Sequence, residues 1–107
     1  MLYLKLKEVL STLVDRLREL PEVREIILFG SVAEDRHRPD SDVDVLVILD
    51  REISREFLHD IAGDIYVNYG IPVTIIPITM KQLKERRDPQ LLRIVKEGKV
   101  LWRKKTG

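Results

Sequence analysis

The chain has 107 residues, of which 44% are hydrophobic and 35% charged, and its 19 basic and 18 acidic residues leave a formal net charge of +1. The length and apolar content suit one domain, 1–107, while the balanced charge leaves nucleic-acid binding unsupported. Zero cysteines exclude disulfides and thiolate zinc sites, and two histidines are too few for an imidazole-rich metal site, so any metal must be held by oxygen.

No apolar run approaches the ~20 residues that span a bilayer. The opening residues carry charges every few positions, which is typical of a helix rather than a signal peptide, so a cytoplasmic protein is expected. Dense charge with one asparagine and two glutamines also favours a thermophilic source.

The first predicted element is an amphipathic helix that ends at Pro21. Its apolar residues recur at steps of three and four, the spacing of one helical face: Leu6, Val9, Leu10, Leu13, Val14, Leu17 and Leu20. Strands are predicted at about Arg24 to Phe29 and at Val43 to Leu49. The loop between them, 31–41, is expected to start helically and to break at Pro39.

A second amphipathic helix is predicted to end at Gly70, which can adopt the left-handed backbone conformation of a helix stop. Its apolar side is expected to contain Phe57, Leu58, Ile61, Ala62, Ile65 and Tyr66. A third strand follows at about Pro72 to Ile78. Prolines near both of its ends suit an edge strand or a short strand.

Two short helices and a final extended segment complete the chain. Thr79 and Gln82 have the spacing of a capping box for the first. Asp88, followed by proline, is predicted to cap the second, and Gly98 to stop it before Lys99 to Trp102. These elements predict an α/β (α+β) fold with a small mixed sheet and helices packed on it.

The end of the first strand has the features of a phosphate site. Gly30 and Ser31 form a small-residue turn with accessible backbone N–H groups. The first turn of a following helix can add its own N-terminal donors to a polyphosphate.

The start of the second strand has the features of a metal site. Asp42 and Asp44 stand at i and i+2, so their side chains share one face of the strand, with Cα atoms about 6–7 Å apart. Two such carboxylates can hold one or two Mg²⁺ ions together with substrate phosphates. Antiparallel pairing of the two strands would bring them to Gly30.

Other interpretations of these residues remain open. Ser31 could cap the turn after it, and Asp42 and Asp44 could be solvated acids at a turn. The basic tip at Arg36, His37 and Arg38 could contact phosphates or an acidic partner, or belong to a solvated loop.

The segment LFGSVAEDRHRPDSDVDVLVIL resembles the signature of the DNA polymerase beta type of nucleotidyltransferase, most of all its minimal, single-domain prokaryotic members. The resemblance covers nearly the whole chain and implies the nucleotidyltransferase fold. It implies that Gly30, Ser31 and Ser41 bind the nucleotide, and that Asp42 and Asp44 are catalytic residues that hold Mg²⁺.

The reaction that the resemblance implies is transfer of a nucleoside monophosphate from a nucleoside triphosphate, with ATP expected, to an acceptor hydroxyl, with release of pyrophosphate. Because the chain has little room for an acceptor pocket, a partner protein or a homodimer should complete the site. Minimal members often pair with small helical HEPN proteins, as antitoxins that nucleotidylate their toxins. Such a partner is expected to cover the loop from Arg36 to Pro39.

One residue departs from the pattern of the family. Active members generally carry a third carboxylate on the strand after the Asp-x-Asp strand, where Thr74 stands here. A first alternative is therefore an inactive or slow nucleotide-binding antitoxin subunit. A second alternative is an antibiotic-type nucleotidyltransferase for small molecules, against which the short chain counts.

Overall fold

A mixed β-sheet with helices on both faces organises the chain in the computed structural model, which describes residues 2–34 and 42–105, with side chains from Leu4 onward. The elements within these ranges are α1 (Leu2–Arg18), β1 (Val23–Phe29), β2 (Val43–Leu49), α2 (Arg55–Tyr69), β3 (Val73–Thr79), α3 (Met80–Glu85), α4 (Pro89–Glu97) and β4 (Lys99–Arg103). The predicted α/β class with a mixed sheet is confirmed.

The strand order is β3-β2-β1-β4. β1 pairs antiparallel with both β2 and β4, whereas β2 and β3 are parallel and are joined by α2, as a parallel pair requires a crossover. β3 is an edge strand, one of the two possibilities that its prolines indicated, and Pro77 lies within it.

The sheet separates two apolar layers because side chains alternate along each strand. In β2, Val45 and Val47 pack with α1 and α2, while Leu46 and Ile48 pack with α3 and α4. This strand is buried on both faces, which explains its nearly continuous apolar run. Alternation places Asp44 on the face that α3 and α4 cover.

The predicted helix caps are present in the structure. Thr79 and Gln82 form the capping box, with N···O distances of 3.0 and 3.1 Å. Asp88 accepts from the backbone N–H of Gln90 at 2.9 Å. Gly70 ends α2 with φ 71°.

Gly98 ends α4 at a position where a side chain would not fit. A Cβ at this position would collide with the Ile27 side chain and would lie 3.1 Å from the carbonyl oxygen of Leu28. Only glycine therefore lets the end of α4 approach β1 so closely.

The predicted apolar side of α2 was wrong in two places. Leu58, Ile61 and Ile65 are buried, but Phe57 is 55% and Tyr66 57% exposed. These two residues are nine positions apart, which is half a turn out of phase in a helix of 3.6 residues per turn. They flank the buried stripe on opposite sides.

Several predicted boundaries shift by one or two residues. β1 begins at Val23, one residue early, and β3 runs from Val73 to Thr79, one residue late at each end. α1 ends at Arg18 rather than beside Pro21, because the residue before a proline disfavours the helical conformation. Within the described ranges, no helix is long and apolar enough to cross a membrane.

Candidate functional site

The site is built where β1 ends beside the start of β2. In the antiparallel register Phe29 stands opposite Asp44, so the next residue, Gly30, lies against the aspartate. Gly30 has φ 82°, and a Cβ built on it would be 2.7 Å from Oδ2 of Asp44. Both the backbone conformation and the carboxylate therefore require glycine here.

The chain after Gly30 forms a single helical turn. The backbone N–H of Glu34 donates to the carbonyl oxygen of Gly30 at 3.2 Å, and Val32, 8% exposed, anchors the turn in the core. Ser31 is half-buried in this turn. The N–H groups at the start of such a turn have no partner within it, which suits an anion.

Several predicted residues lie outside the described ranges. Ser41, the expected break at Pro39 and the basic tip at 36–38 all fall in residues 35–41.

Asp44 lies in an environment that disfavours its charge. Its pKa is raised, first by burial and then by the negative charge of Asp42, whereas a hydrogen bond from the Thr74 hydroxyl acts in the opposite direction. Asp42 itself is exposed. In the parallel pair of β2 and β3, Thr74 stands directly opposite Asp44.

This donor set fits a divalent cation such as Mg²⁺. Asp42 and Asp44 supply hard oxygen ligands, and a cation between them would offset the burial and repulsion that raise the pKa of Asp44. In the part of the chain that the structure describes, no group of three or more acidic or histidine side chains could hold a metal. Mg²⁺ in proteins commonly completes its coordination with substrate phosphates and water.

A cleft of about 330 Å³ adjoins the site. The turn after β1 forms one wall and α4 the other, and the lining residues are Phe29, Gly30, Ala33, Glu34, Gln90, Arg93, Ile94, Glu97 and Gly98. In α4, Arg93 Nε donates to Glu97 Oε2 at 2.8 Å, and this bond raises the pKa of Arg93. Sequence reasoning missed the α4 residues, because their spacing defines a helical face without showing where that face packs.

Gly30→Ala is expected to destabilise the fold by about 1–3 kcal/mol and to displace the Asp44 carboxylate, since a Cβ there combines a strained backbone with a collision. Urea denaturation measures the stability, and titration calorimetry with ATP and Mg²⁺ tests for loss of the nucleotide binding that the resemblance implies.

Gly70→Ala is the matched control for Gly30→Ala. Its φ is 71°, but an added Cβ would meet no atom within 4 Å. It should lower stability through backbone strain and leave the expected nucleotide binding intact. Equal binding by Gly30→Ala and wild type would contradict the assignment of this turn to the nucleotide.

Residues 10–101 match the family model described as Nucleotidyltransferase domain. The chain is also 26% identical over 98 residues to a Methanocaldococcus jannaschii protein named "Putative protein adenylyltransferase", a match that covers 91% of this chain and 94% of that protein.

The solved structures that share the fold include two toxin–antitoxin complexes. One is a toxin–antitoxin complex with AMP-PNP, with a TM-score of 0.68, 22% identity, and coverage of 89% of this chain and 73% of that chain. The other is a tri-AMPylated Shewanella oneidensis HEPN toxin in complex with MNT antitoxin, with a TM-score of 0.59, 20% identity, and coverage of 97% and 74%.

Proposed function

The chain belongs to the nucleotidyltransferase domain family, and from this premise we propose that it transfers AMP from ATP to a hydroxyl group of a partner protein, with Mg²⁺ at the site. The observation that carries the proposal is the contact between Gly30 and Asp44. Through it, a turn suited to phosphates and a carboxylate suited to Mg²⁺ lie side by side.

Each residue of the site has a proposed task. Gly30 lets the triphosphate approach the backbone, and Ser31 and its neighbouring N–H groups donate to phosphate oxygens. Asp42 and Asp44 hold Mg²⁺, and Ser41 binds the nucleotide. Bound Mg²⁺ would neutralise phosphate charge and polarise the α-phosphate.

The reaction is an in-line displacement at the α-phosphorus. The acceptor oxygen forms a bond to this phosphorus while the bond to the bridging oxygen of the β-phosphate breaks, so pyrophosphate leaves and AMP stays on the acceptor. No residue of β3 is a carboxylate, and the one opposite Asp44 is Thr74. We propose that the acceptor proton passes to water or to a basic group of the partner.

The comparisons support the choice of nucleotide and acceptor. The relative is named an adenylyltransferase that acts on protein, and the structural neighbours are toxin–antitoxin complexes, one with AMP-PNP and one with an AMPylated HEPN toxin. We therefore infer an antitoxin that acts in the cytoplasm on a helical toxin of the HEPN type.

A second candidate is an antitoxin subunit that binds ATP and transfers AMP slowly or not at all. The neutral Thr74 beside Asp44 favours it, because loss of a general base removes about 10²–10⁴-fold of rate.

The position of the transferred label tests the proposal. The chain, its co-purifying partner and Mg²⁺ are incubated with ATP labelled on the α-phosphate or on the γ-phosphate. Label from the α-position alone should appear on the partner, and EDTA should prevent it. Label from the γ-position would show a kinase instead, and tight ATP binding without any transfer would favour the second candidate.

A further inference from the structure

The cleft between the turn 30–34 and α4 is unsuited to the triphosphate itself. Among the described residues that line it, the cationic side chain is Arg93, and the carboxylates of Glu97 and Glu34 both act on its charge. The charge of Arg93 is thus already engaged by carboxylates, so its guanidinium offers little attraction to phosphates. The cleft suits an uncharged group that carries hydrogen-bond donors.

The cleft is continuous with the metal site. Gly30 lines it and also contacts Asp44, and Phe29, which pairs with Asp44 across the strands, lines it too. A nucleotide with its phosphates at Gly30 therefore has its nucleoside end within reach of the cleft. The volume of about 330 Å³ lies in the range of small-molecule sites.

The polar residues of α4 reach the cleft from one helical face. Gln90, Arg93 and Glu97 follow at steps of three and four. Glu97 holds the Nε of Arg93, which orients the guanidinium plane, and the cap of Asp88 on the N–H of Gln90 fixes the first turn.

These side chains are the kinds that read a base. A glutamine amide can pair with adenine through a donor and an acceptor together, and aromatic rings and guanidinium planes stack on bases. Phe29 is half-buried and offers such a ring, while Gln90 and Arg93 are exposed at the opposite wall.

We propose that this cleft is the nucleobase subsite, that Gln90 and Arg93 determine its specificity, and that it prefers purines, adenine first. The proposal rests on the proposed function, since it takes the phosphates to lie at Gly30.

Inorganic tripolyphosphate separates this proposal from the proposed function, because it carries the phosphates without the base. Titration calorimetry at fixed Mg²⁺ compares ATP, CTP and tripolyphosphate on wild type, Gln90→Ala, Arg93→Ala and Lys96→Ala. Lys96 is the matched control, an exposed cation of α4 outside the cleft.

Wild type should bind ATP about tenfold or more tightly than tripolyphosphate, and also more tightly than CTP. Gln90→Ala and Arg93→Ala should lose most of this advantage without a change in tripolyphosphate affinity, and Lys96→Ala should keep it. Circular dichroism confirms the fold of each variant, and Gln90→Glu, which preserves volume, should show the same loss as Gln90→Ala.

Equal affinity of wild type for ATP and tripolyphosphate would overturn the subsite and leave the proposed function standing. Absence of binding by both ligands would instead refute the proposed function. Cleft variants that keep the ATP advantage but lose AMP transfer to the partner would show that the cleft receives the acceptor, which also overturns the proposal.

Discussion

Asp42→Asn and Asp44→Asn should each weaken Mg²⁺-dependent ATP binding by about 100-fold or more, since changing a mere outer-shell partner of a metal ligand already costs about 10–100-fold. Each change removes a negative oxygen from a site whose described residues offer only these two acids. Titration calorimetry with ATP, in the presence and in the absence of Mg²⁺, measures the loss of affinity.

The fold should survive both substitutions. The pKa of Asp44 is raised in the folded protein, so folding favours its neutral form, and the charged form at neutral pH opposes folding. Replacement by the neutral asparagine should therefore leave the metal-free melting temperature equal or higher. Loss of the folded state would instead mean that the acids are structural.

The raised pKa of Asp44 also predicts how Mg²⁺ binding depends on pH. Because the carboxyl of Asp44 takes up its proton at a higher pH than an ordinary aspartate, Mg²⁺ binding should weaken earlier on acidification.

Asp50→Asn is the matched control for the two site acids. Asp50 follows the opposite end of β2, where its carboxylate lies 2.9 Å from Arg24 and 3.9 Å from Lys104. Its loss should leave ATP affinity unchanged. Wild-type affinity in Asp42→Asn and Asp44→Asn would remove the metal site from this end of the sheet.

Thr74→Asp should raise AMP transfer by about 10²–10⁴-fold, the usual contribution of a general base. Thr74 stands opposite Asp44, so an aspartate there places a third carboxylate beside the proposed metal ligands. The wild-type chain, which has no carboxylate at position 74, is expected to transfer AMP slowly. The assay follows α-labelled phosphate onto the partner protein.

Thr74→Asn is the control, because asparagine has the shape of aspartate without its charge or basicity. It should show no gain. Thr74→Asp should also lower stability in the absence of Mg²⁺, since a third carboxylate adds repulsion to a site that already raises the pKa of Asp44. Fast transfer by wild type that Thr74→Asp leaves unchanged would place the base elsewhere.

The elements predicted best are those with local causes. The bounds of β2 follow from its apolar run, and the caps at Thr79 and Asp88 follow from side chains that reach backbone groups two or three residues away. The Gly-Ser and Asp-x-Asp spacing likewise identified the family that the comparison over 10–101 shows.

Where local signals compete, the sequence was less reliable. Phe57 and Tyr66 are apolar residues at the two borders of the buried stripe of α2. Helical periodicity allows a residue at such a border to be either buried or exposed. Packing against the sheet, rather than residue type, decided their exposure.

What only the tertiary structure decided is how distant segments meet. The parallel pairing of β3 with β2 sets Thr74 opposite Asp44, and the close approach at Gly98 brings Arg93 and Glu97 beside the turn at Gly30. These contacts join residues about 30 to 70 positions apart in the sequence, so they depend on strand order, register and packing space. The sequence by itself determined the chemistry of the motif, and the fold determined which other side chains face it.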